Sequence, residues 1–129
     1  VSQHWGALGF AAEAIFSDRR IVFEAVRNGS KAFEFASEEL RGDRVFVLEV
    51  LEVAGLSLEF ATHILRADRD VVLVAVRQDG LALEFASEEL RADKGVVLEA
   101  VKENGLALWD AFEALKTDPE IIAACRWGN

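Results

Sequence analysis

Glutamates are the first residues of this chain that invite chemistry, because they recur. Glu34, Glu59 and Glu84 stand 25 residues apart, and Glu38, Glu39, Glu88, Glu89 and Glu113 follow a few positions later. Paired carboxylates do acid–base work only when one is desolvated or otherwise shifted in pKa. Repetition along one helix face supplies no such asymmetry, so these columns are expected to be solubilising surface. His4 and His63 stand alone, without the paired spacing of a zinc motif, and Cys125 has no histidine near it in sequence. No nucleophile elbow, Cys-His pair or phosphate-cradling glycine loop is present. The expectation is a segment without catalytic, cofactor-binding or metal-ligating residues, and not an enzyme.

Two other groups of side chains offer binding chemistry. Arg44, Arg69 and Lys94, with Arg19, occupy one column, and Arg41, Arg66, Arg91 and Lys116 another. The first column could form a ridge that grips phosphates, but a net charge of -9 argues against nucleic-acid backbone as a partner. The competing expectation is a solvated lattice in which these cations face the glutamates, with Glu38–Arg41 and Glu88–Arg91 at i, i+3 spacing. The second group is aromatic: Trp109, Phe112 and Trp127 form either a recognition patch or an adjustment that caps the end of the chain.

What positions these columns is a repeat. Aspartates stand at 18, 43, 68, 93 and 118, and the residues between them fall into register without a gap. The apolar cluster after each, such as Val71, Val72, Ala75 and Val76, has i, i+1, i+4, i+5 spacing. A V-V-L run also suits a strand. Helix is favoured because each aspartate sits where an N-cap belongs and Pro119 follows Asp118 at the first helical position. Gly55, Gly80 and Gly105 share a column suited to a left-handed helix stop, where the second unit carries Ser30 with Lys31 instead.

A second helix is expected over Leu81 to Arg91, with Ala82, Phe85, Ala86 and Leu90 on its buried stripe. A partly 3₁₀ form of it would fit the same period. The fold class is thus all-α, tandem two-helix repeats of 25 residues forming an α-solenoid or curled array. The single repeat domain spans 1–129, with a partial unit 1–17, units 18–42, 43–67, 68–92 and 93–117, and a partial terminal unit 118–129. Such short helices do not repay nucleation alone, so stacking must supply their stability.

Composition agrees: 52% apolar and 29% charged residues place the chain among folded globular proteins. No run of 18 apolar residues suggests insertion into a membrane. A single cysteine excludes an internal disulfide framework and tilts the expected compartment towards a reducing one. The opening Val-Ser-Gln-His-Trp has no initiator methionine or signal-peptide pattern, so a processed chain or a piece of a longer one is expected.

The phrases DRDVVLVAVRQDGLALEFASEELRAD and DKGVVLEAVKENGLAL resemble the repeat family catalogued as domain of unknown function 4116. That resemblance implies tandem arrays and carries no function or catalytic residues. Together these readings point to a protein-interaction or scaffolding module with a protein partner and no cofactor. Polyanion binding through Arg44, Arg69 and Lys94, or a place as accessory domain of a larger enzyme, are the alternatives. Open repeat ends would also allow oligomerisation.

Overall fold

A computed structural model describes residues 17–127; the first partial unit up to residue 16, including His4, lies outside the described residues. Thirteen helical segments follow one another there, without a strand among the described residues. The long first helices of successive units are α1 (Arg19–Asn28), α3 (Arg44–Val53), α5 (Arg69–Gln78), α7 (Lys94–Glu103) and α9 (Pro119–Trp127). Between them lie four 3₁₀ segments, η1 (Ser30–Phe35), η2 (Gly55–Phe60), η3 (Gly80–Phe85) and η4 (Gly105–Asp110). Each is followed by a single helical turn: α2 (Glu38–Arg41), α4 (His63–Arg66), α6 (Glu88–Arg91) and α8 (Glu113–Lys116). Equivalent elements of neighbouring units pack on one another, long helix on long helix and 3₁₀ segment on 3₁₀ segment.

The long helices start where the aspartates are. Asp68 accepts from the amides of Asp70 at 3.0 Å and Val71 at 3.3 Å, and Asp43 and Asp93 accept from Phe46 and Val96 at 3.1 and 3.2 Å. These bonds satisfy donors that a helix start leaves open. The i, i+1, i+4, i+5 pattern then buries two flanks of each helix: Val71, Val72, Ala75 and Val76 are fully buried between α3 and α7. Ten residues span only about 15 Å. Contact with both neighbours, rather than propensity, holds each helix.

The second helix is not the continuous α-helix expected over Leu81 to Arg91 but takes the alternative, partly 3₁₀ form. It is broken, because Ala86 is extended at φ -74°, ψ 159° and Ser87 opens a new turn by accepting from the Leu90 amide at 3.4 Å. Three residues per 3₁₀ turn replace 3.6, which turns Gly80, Leu83 and Ala86 inwards. Phe85 therefore leaves the centre of the stripe: Leu83 and its equivalents Phe33 and Leu58 are fully buried, while Phe35 is 61% exposed and Phe60 and Phe85 are half-buried.

The glycine column has a different cause from the one its position suggests. No glycine among the described residues has a positive φ. Instead, a Cβ on Gly55 would lie 2.5 Å from the Ala75 carbonyl oxygen, and one on Gly80 would lie 2.3 Å from that of Ala100. The start of each of these 3₁₀ segments presses against the closing turn of the next unit's long helix. Gln78 fastens the first of these seams, its Oε1 accepting from the Gly55 amide at 2.6 Å. Where Ser30 replaces glycine, a buried hydroxyl one unit on compensates, with Ser57 Oγ donating to the Ser30 carbonyl at 2.9 Å.

Candidate functional site

The basic column at the starts of the long helices is occupied by carboxylates. Arg19 pairs with Asp43, Arg44 with Asp68 at 3.0 Å, Arg69 with Asp93 at 2.9 Å and Lys94 with Asp118 at 3.3 Å. Arg44 also approaches Asp70 at 3.6 Å, and Lys94 lies 2.8 Å from Glu120. A cation at its own helix start is unfavourable to the helix dipole. Here the side chain reaches 24 residues ahead to the N-cap of the next unit, so one aspartate caps its helix and neutralises its neighbour's cation. For the arginines of this column the expected glutamate partners are thus replaced by aspartates, whereas Lys94 meets a glutamate, Glu120, as well as the N-cap Asp118. The Arg44, Arg69 and Lys94 ridge drawn for polyanion binding already faces carboxylates.

The Arg44 guanidinium beside Asp68 and that of Arg69 beside Asp93 hold both carboxyls below the usual aspartate range; partial burial opposes this and helix-start amides assist it. A depressed folded-state pKa contributes stability above the unfolded value, near 3.9, and loses it as pH falls through the folded one. The melting temperature is therefore expected to drop as pH is lowered below about 4. Asp68→Asn with Asp93→Asn keeps the caps, since asparagine caps as well, and should flatten that dependence. Equal acid sensitivity of the double variant and the parent would rule the ladder out as its source.

The second basic column turns inwards. Arg41 Nε donates to the Ala36 carbonyl at 3.1 Å and Arg41 Nη1 to that of Phe60 at 3.4 Å, bridging the break in the second helix to the next unit. Arg66 and Arg91 have buried Nε atoms without a hydrogen-bond partner, and Arg66 Nη2 donates to His63 Nδ1 at 3.0 Å. The Glu38–Arg41 and Glu88–Arg91 pairs expected from i, i+3 spacing are not formed. Only Glu113–Lys116 closes in these columns, at 3.1 Å.

Between consecutive short helices the surface opens into a groove. Its floor is tied by backbone bonds across the units: the amides of Thr62, Ser87 and Phe112 donate to the carbonyls of Arg41, Arg66 and Arg91 at 3.2, 3.0 and 3.0 Å. The first section, about 570 Å³, is lined by Glu38, Glu39, Gly42, Thr62, His63 and Ile64. The second, about 440 Å³, shares His63 and adds Arg66, Glu84, Phe85, Glu88 and Arg91 among its walls. The third, about 250 Å³, shares Glu88 and Arg91 and ends at Ala111, Phe112 and Glu113. The shared residues stand on the short helices between the sections, so the three form a segmented channel, one groove at each junction of units.

Ile64 is 81% exposed on it and Phe112 58%. Trp109 is 76% exposed, with Lys116 Nζ 6.0 Å from its ring centre, and no ring contact joins it to Phe112. Trp127 closes the last helix, and its side chain lies outside the described residues. The three aromatic candidates are therefore not shown as one patch; Phe112 alone belongs to the channel. Asp110, in the column of Phe35, Phe60 and Phe85, is half-buried, and burial raises its carboxyl pKa against the pull of Arg91 and Lys116.

No group of three or more His, Cys, Asp or Glu residues that could hold a metal occurs among the described residues, where no helix is long and apolar enough to cross a membrane either. Cys125 packs with its thiol donating to the Gly105 carbonyl at 3.8 Å, and burial pushes that thiol up.

The pattern of the family described as a domain of unknown function, DUF4116, matches residues 1–41, 18–66, 43–91 and 68–116. This chain belongs to the DUF4116 family. Each of the last three matches covers nearly two consecutive units, so the family pattern spans the seam where the DUF4116 array places its Arg–Asp ladder and glycine contacts. Neither the curated proteins nor the solved structures contain a match. The channel was the feature missed from sequence; its only linear trace was the S-E-E-L run at Ser37 and Ser87, an N-cap with acids in the first turn.

Proposed function

We propose that this DUF4116 array is a non-catalytic protein-interaction module, an α-solenoid that holds an extended partner segment in the channel between its short helices. The observation that carries this reading is the exposure of Ile64 and Phe112 beside grooves that recur at successive junctions of units. Large apolar groups exposed beside grooves with polar rims are a usual mark of a surface that receives another chain. A repeat array offers such length without an enclosed catalytic cavity.

Selection of peptides from a random display library against the 129-residue chain tests it. Selected peptides are expected to lose binding at least tenfold on Ile64→Asp or Phe112→Asp, and to be indifferent to Val45→Asp on the exposed side of α3. Peptides whose binding responds to Val45→Asp and ignores both channel variants would place the interaction surface elsewhere.

A further inference from the structure

We draw no further inference here: the strongest candidate, the apolar flank of the last long helix, where Ile122 stands exposed although its equivalents Val47, Val72 and Val97 are fully buried between units, is an unpartnered face, and nothing in the structure shows what covers it.

Discussion

Gly80→Ala is expected to destabilise the array by about 1–3 kcal/mol, the range for forcing extra atoms into a packed seam. The added methyl would stand 2.3 Å from the Ala100 carbonyl oxygen and 3.1 Å from the Asn104 amide nitrogen, both backbone atoms of the next unit. Backbone yields far less readily than the tip of a side chain, so α7 must shift away from η3. Gly29→Ala is the matching control, because nothing lies within 4 Å of its would-be Cβ and its backbone is extended. Thermal melts of the two variants should separate clearly. Gly80→Asn discriminates the causes: asparagine tolerates a left-handed helix stop, whereas a close contact rejects it at least as strongly as alanine. A melting temperature for Gly80→Asn equal to the parent's would refute the contact explanation.

Leu83→Ala should cost more than Phe85→Ala, against the order that size suggests. Leu83 is fully buried where η3 packs on η2 and η4, and truncating such a leucine costs about 2–5 kcal/mol through lost transfer energy and the cavity left behind. Phe85 is half-buried on the channel wall. Truncating it exposes little new surface and leaves a gap that water fills, so a smaller loss is expected. Phe35→Ala, at a side chain 61% exposed, should be smaller still. Chemical denaturation of the three variants gives the order directly. A Phe85→Ala loss exceeding that of Leu83→Ala would mean that the second helix is continuous and α-helical after all.

Much of the architecture was legible because its determinants are local. The aspartates cap the long helices as their position before each apolar cluster implies, and Val71, Val72, Ala75 and Val76 are buried as their spacing requires. The break in the second helix was harder to see. Both helix types place Ala82, Ala86 and Leu90 inside, and they differ only in whether Leu83 or Phe85 leads. Serine at the N-cap of a four-residue turn was the available signal, and the strength of the F-A-S-E-E-L pattern as one helical stripe obscured it.

The candidate sites fared according to how far their partners lie along the chain. The expected Glu38–Arg41 pair gave way to carbonyls, one nearby at Ala36 and one in the next unit at Phe60, and Arg44 and Arg69 met aspartates 24 residues ahead in place of glutamates. A surface ion pair within a helix is worth little. A modest gain elsewhere is enough to redirect a long side chain.

From the order of residues alone came the 25-residue period, the start of every long helix and the face it buries, because caps and helical spacing act within a few residues. Which way the second helix turns, which carboxylate each cation meets, why glycine stands at 55 and 80, and the channel that results were decided only by the stacked units. Those outcomes depend on atoms a full repeat away, which come within contact distance only once neighbouring units have packed.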